Sequence, residues 1–255
     1  MRLHFKTCGR GQPLVILHGL FGSLENWLGI APKLGEHFQV FIVDLRNHGQ
    51  SPHRAEMHYP LMAEDVAGFF EEQGLVDASV VGHSMGGKVA MQFALAHPER
   101  VKKLVVVDMA PRQYPPSHAA IIAALLAVDL GSFQTRHQIE EALAPAIPNL
   151  VVRRFLLKNL GRDEAGKLFW KINLRGIAEN YPQLGEALPA AGVFEKPALF
   201  LRGGKSNFIT ADDEPLIRRL FPQAEMQTIE GAAHWVHADR PEEFAGRVVD
   251  FLQAH

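Results

Sequence analysis

One pentapeptide narrows the folds open to this chain more than any other feature. Gly82-His83-Ser84-Met85-Gly86 is fed by the apolar run Ala78-Ser79-Val80-Val81 and followed by Gly87-Lys88-Val89-Ala90-Met91. The flanks read as a buried strand entering a helix, so the residues between them form a sharp strand-to-helix turn. Glycines on both sides of Ser84 let the backbone fold tightly enough to lift one hydroxyl clear of the sheet. The plainer alternative is a structural turn that happens to hold a serine. The flanking strand and helix favour Ser84 as a nucleophile.

A serine hydroxyl needs a base, because it is almost never ionised near neutral pH. With 13 histidines in the chain, position must choose among them. Gly231-Ala232-Ala233-His234-Trp235 follows the strand-like Glu225-Met226-Gln227-Thr228-Ile229. A short loop of small residues there places His234 at the same carboxyl edge of the sheet as Ser84, in the chain order of nucleophile first and histidine last. His237 is the local competitor. It forms an H-x-x-H pair with His234, but no third ligand follows at a metal-site spacing, so no metal is expected. Lys88 stands four residues after Ser84, and His234 makes a lysine base unnecessary.

The chemistry also needs donors for a developing negative charge. The strand pattern Leu14-Val15-Ile16-Leu17 runs into His18-Gly19-Leu20-Phe21-Gly22, a turn that leaves backbone N–H groups pointing outward. The N–H groups of Leu20 and Met85 are the expected oxyanion donors.

Strands and helices alternate from Pro13 to about Pro111. Gln39–Val43 and Leu104–Val107 are uninterrupted apolar strands, while Ala63, Val66, Ala67 and Phe70 share one helical face. Val89, Ala90, Phe93 and Ala94 repeat that spacing after Ser84. Such strands between helices predict a mostly parallel α/β sheet covered on both faces. From about Pro111 to Glu195 no strand is expected, only helical segments cut by Pro115-Pro116, Pro145, Pro148, Pro182 and Pro189. Ala198–Leu201 restores the strand pattern, and Phe244, Val248 and Phe251 mark a terminal helix. The expected organisation is a core of residues 1–110 and 196–255 with a helical cap insertion, 111–195, before the last two strands. That insertion starts at the carboxyl edge, where α/β sheets bind ligands.

Leu17-His18-Gly19-Leu20-Phe21-Gly22, Asp44-Leu45-Arg46-Asn47-His48-Gly49-Gln50-Ser51, Gly82–Gly87 and Gly231–His234 together resemble the α/β-hydrolase superfamily, essentially end to end. Asn47-His48-Gly49, Val107-Asp108-Met109-Ala110-Pro111 and Gly203-Gly204-Lys205-Ser206-Asn207 are most similar to the YbfF-type bacterial esterases. That resemblance implies hydrolysis of acyl esters or thioesters under a small cap, without a cofactor. Many members of the superfamily carry an aspartate just after the strand that here ends at Leu201, where this chain has no carboxylate before Asp212. Asp212 and Asp213 suit the start of a helix. Asp108 follows the preceding strand directly, at the carboxyl edge, and the YbfF-type pattern implies an acid at this earlier place. Asp108 is the assigned acid, with Asp212 and Asp213 as alternatives.

The expected function is a serine hydrolase acting on a small-molecule ester or thioester through an acyl-enzyme. A carbon–carbon bond hydrolase with the same triad and a non-catalytic ligand-binding member of the fold are the alternatives. A net charge of −2 without a basic run gives no reason to expect nucleic acid. The single cysteine, Cys8, precludes an internal disulfide and is expected to be buried. With neither a signal-peptide core nor an apolar run of membrane-spanning length, the expected location is cytoplasmic.

Overall fold

The computed structural model describes residues 1–189 and 192–254. Its elements run β1 (Phe5–Cys8), β2 (Gln12–Leu17), α1 (Ala31–Gly35), β3 (Phe38–Val43), α2 (Tyr59–Glu72), β4 (Ala78–His83), α3 (Met85–Ala96) and β5 (Val101–Val107). Then follow α4 (Ala119–Leu126), α5 (Arg136–Ala142), α6 (Leu150–Leu156), β6 (Leu160–Arg162), β7 (Leu168–Trp170) and α7 (Leu174–Gly185). The chain closes with β8 (Ala198–Gly203), α8 (Glu214–Leu220), β9 (Ala224–Ile229), α9 (Val236–Asp239) and α10 (Pro241–Gln253).

The main sheet has seven strands in the order β1-β3-β2-β4-β5-β8-β9. Only β1 runs antiparallel to its neighbour; the other pairings are parallel. Alternate side chains of each central strand feed opposite faces. Val15, Leu17, Leu104 and Val106 join the layer containing α2 and α3, whereas Leu14, Ile16, Val105 and Val107 join the layer containing α1 and α10. Both faces are therefore apolar, which is why these strands read as continuous hydrophobic runs. Phe244, Val248 and Phe251 are buried along α10 as their spacing predicted.

The segment between β5 and β8 departs from the sequence reading in two ways. It contains the antiparallel hairpin β6–β7, pairing Leu160 with Trp170 and Arg162 with Leu168, where no strand was expected. Strands of three residues carry too few alternations to show a period of two. Pro182 also lies inside α7 and does not end it. Burial of Ile177 and Leu184 holds the helix despite the hydrogen bond that a proline cannot donate. The segment is tied to the loop before α2 and to the first residue of that helix: Asn173 N–H donates to Asn47 O (2.9 Å), Met57 N–H to Asn180 Oδ1 (3.1 Å), and Tyr59 OH to Leu184 O (2.6 Å). Cys8 is half-buried, with its Sγ 3.5 Å from Ala31 O. No helix among the described residues is long and apolar enough to cross a membrane.

Candidate active site

Ser84 sits between β4 and α3 with φ 53° and ψ −120°, a conformation that L-residues rarely adopt. The turn closes only because of its glycines. A Cβ on Gly82 would lie 2.2 Å from Gly86 O, and one on Gly86 would lie 2.4 Å from Leu17 O. The backbone passes where a side chain would be, and the strained serine is pushed out above the sheet edge.

Three side chains from the ends of different strands converge there. Ser84 Oγ is 3.0 Å from His234 Nε2, and His234 Nδ1 is 2.7 Å from Asp108 Oδ2. A carboxylate can only accept, so Nδ1 carries the proton and Nε2 offers its lone pair to the serine hydroxyl. Asp108 is completely buried and also has a positive φ, 51°. Its carboxylate takes further hydrogen bonds from Gly203 N–H (3.1 Å) and Ser206 Oγ–H (2.5 Å). The end of β8 and the loop after it, which carry no carboxylate before Asp212, thus supply donors to the acid that follows β5. Ser206 lies in one of the segments that carry the family resemblance, but nothing in the sequence gave it this role.

Asp212 and Asp213 are used elsewhere. Asp213 is buried, accepts a hydrogen bond from Thr210 N–H at its Oδ2 (2.8 Å) and pairs with Arg112 Nε (2.7 Å); Asp212 is exposed. His237 does not reach Ser84. It is buried and stacks on Trp27 at 4.2 Å between ring centroids, and burial holds it neutral, its pKa lowered to about 3. The His234 ring packs against Phe208 (3.9 Å, 21° between planes), a contact that no periodicity announced. His83, buried and kept well below its ordinary pKa by desolvation, donates from Nε2 to His234 O at 2.9 Å and holds that loop.

The loop after β2 is pinned by several hydrogen bonds, none of which uses the N–H of Leu20. Phe21 N–H donates to His48 Nε2 (3.2 Å), Gly22 N–H to Gly19 O (2.9 Å), and Leu24 N–H to Asp44 Oδ1 (2.7 Å). Leu45 N–H donates to His18 Nε2 (2.9 Å), and Arg46 is held by both oxygens of the buried Asp65 (2.5 and 2.8 Å). Asp44, Arg46 and His48 are therefore scaffolding for the site loop. No acceptor among the described residues takes the N–H of Leu20 or of Met85, the first residue of α3. Lys88, in the same helix, is fully buried; its Nζ donates to Glu186 O, and desolvation lowers its pKa to about 7.

Above Ser84 lies a mainly apolar cavity of about 510 Å³, lined in part by Leu20, Ile121, Phe155 and Trp235. Of the bulky residues of the insertion, Ile121, Phe155 and Leu156 line this cavity, Ile122 and Leu125 are buried away from it, and Leu126 and Phe169 are exposed. Among the described residues, no three or more His, Cys, Asp or Glu side chains are grouped as a metal site requires.

A mostly parallel sheet with a strained serine at the head of the helix after β4 has the architecture of a hydrolase. A family profile described as alpha/beta hydrolase fold matches residues 12–241, and the chain belongs to that family. Among its relatives is the sn-1-specific diacylglycerol lipase ABHD11 of Mus musculus, 40% identical over 247 residues, covering 94% of this chain and 80% of that protein. Esterase YbfF of Escherichia coli (strain K12) is 37% identical over 234 residues, covering 91% and 89%. A solved structure of a marine microorganism esterase aligns with a TM-score of 0.96 at 45% identity, covering 98% of both chains.

Proposed function

We propose that this chain cleaves carboxylic esters, with acyl thioesters as chemical neighbours, through an acyl-enzyme formed on Ser84. Its class is that of a carboxylic ester hydrolase: relatives named esterase or lipase align along more than nine tenths of the chain. The observation that carries the mechanism is the continuous relay from Ser84 Oγ through His234 to the buried Asp108. His234 Nε2 takes the serine proton as Oγ attacks the acyl carbon. The Leu20 and Met85 N–H groups bind the oxyanion. His234 then protonates the leaving alcohol or thiol, and a water repeats the sequence to release the acid. Asp108 orients the imidazole and stabilises its cation without taking the proton. The helical insertion, residues 111–195, acts as a cap that keeps bulk water from the apolar cavity, and the reaction uses no cofactor.

Ser84→Ala tests this reading. It should fold normally and lose about 10⁴- to 10⁶-fold in turnover of p-nitrophenyl esters. An organophosphonate should label Ser84 in the unaltered protein. A variant retaining more than about a tenth of the activity is incompatible with a covalent route through Ser84.

A further inference from the structure

Two cavities meet at Ser84, and only one of them reaches His234. The large one, about 510 Å³, is lined by His234, Trp235 and Phe155 as well as Ser84. The small one, about 50 Å³, is lined by Ser84, Met85, Lys88, Tyr114 and Leu184, and not by His234. Leu20, His118 and Phe208 line both and form the partition.

At the tetrahedral stage the acyl carbon carries Ser84 Oγ, the oxyanion, the leaving atom and the acyl chain. The Leu20 and Met85 N–H groups set the direction of the oxyanion. The leaving atom must face His234 Nε2, which returns the proton to it, so the alcohol or thiol extends into the large cavity. The remaining direction leads past Met85 into the small one. Resting on the ester-hydrolase reading above, we infer that the small cavity is the acyl pocket and the large one holds the leaving group. The preferred substrates are then esters or thioesters joining a short acid to a bulky apolar alcohol or thiol.

The size of the small cavity limits the acid. A water-sized group needs about 10–15 Å³ of such space, so 50 Å³ admits roughly three to five heavy atoms. Its walls are braced. Lys88 Nζ is bonded to Glu186 O and lies 5.2 and 5.0 Å from the ring centroids of Tyr59 and Tyr114. Tyr114 OH donates to Phe208 O (2.5 Å), and Tyr59 OH donates to Leu184 O. The large cavity has ten times the room and mostly apolar walls.

Two substrate series separate the pockets. With p-nitrophenol as constant leaving group, kcat/KM should fall by about tenfold or more from butyrate to octanoate. With acetate as constant acid, it should rise severalfold from the ethyl to the octyl ester, since each added methylene is buried. Leu184→Ala should restore octanoate relative to butyrate and leave the alcohol series unchanged; an unchanged ratio in the folded variant overturns the pocket assignment. If that variant does not fold, the two series on the unaltered protein still decide. A rise with acyl length, the lipase-like outcome, or indifference to alcohol length overturns the assignment while leaving the hydrolase reading intact. No turnover of any ester, together with an unlabelled Ser84, sinks both.

Discussion

Asp108 owes its position to its neighbours. Its N–H is bonded to Leu201 O on β8 (2.8 Å), and its carboxylate is gripped by Gly203 at the end of that strand and by Ser206 in the following loop. Replacing one oxygen with an amide keeps the shape and removes the charge, so His234 loses both its tautomer and its stabilised cation. Asp108→Asn should lower kcat by about 10⁴-fold, the scale seen when an imidazole loses its orienting carboxylate. Asp212→Asn should leave turnover unchanged. Asp213→Asn should cost about 1–2 kcal/mol of stability, because it weakens the Thr210 cap and the Arg112 pair, yet keep most activity. Ester turnover and urea midpoints on the three proteins read this out. Collapse of turnover in either of the last two would move the acid to the loop after β8. The histidines divide in the same way: His234→Ala should abolish turnover and His237→Ala should keep most of it, and the reverse ranking would make His237 the base.

At the scale of elements, the turn from β4 into α3 stores strain that the surrounding packing sustains. A non-glycine residue with φ 53° and ψ −120° costs about 1–3 kcal/mol. Ser84→Gly should therefore raise stability by about 1 kcal/mol while abolishing turnover, a combination that an ordinary surface serine would not give. Gly86→Ala should do the opposite. Its Cβ would meet Leu17 O at 2.4 Å and His18 O at 2.5 Å, both backbone atoms that cannot swing aside. A loss of at least about 1–3 kcal/mol is expected, with a fall in kcat as α3 and the Met85 N–H shift. Denaturant midpoints measured beside the assay test both. A Gly86→Ala protein of unchanged stability would mean that α3 lies farther from β2 than these contacts require.

The whole molecule carries a pH liability in its buried imidazoles. Burial lowers the pKa of His18 to about 4 and those of His48 and His237 to about 3, and it drives His83 well below its ordinary value. In the unfolded chain each returns to about 6.5. Between about pH 6.5 and 4 the unfolded state therefore binds more protons, so stability rises with pH and is lost as pH falls. Each group contributes up to about 1.4 kcal/mol per pH unit in that window. The urea midpoint should drop steadily from pH 7 to pH 5. His237 makes no hydrogen bond among the described residues and stacks flat on Trp27, so His237→Phe should keep the stack and make the drop shallower. A midpoint independent of pH over this range would show that these rings are not held neutral.

Local pattern was enough to place the buried strands, the strand-to-helix turn at Ser84 and the terminal helix, because each is written within about ten consecutive residues as a periodicity or a glycine spacing. The same holds for His234, in a short loop just past the last strand. The hairpin β6–β7 and the continuity of α7 through Pro182 escaped, since three-residue strands have no period to show and tertiary burial outweighed one lost hydrogen bond. Which carboxylate faces His234 was a matter for the tertiary structure. A place directly after a strand and the family resemblance favoured Asp108 and left Asp212 and Asp213 open; only the packed chain brings one of these carboxylates to 2.7 Å from a ring 126 residues away. The division of space around Ser84 into a large and a small cavity also had no trace in the sequence. It arises where α7, the loop after β2 and the turn before α3 meet, and a volume enclosed by distant segments exists only once they have packed together.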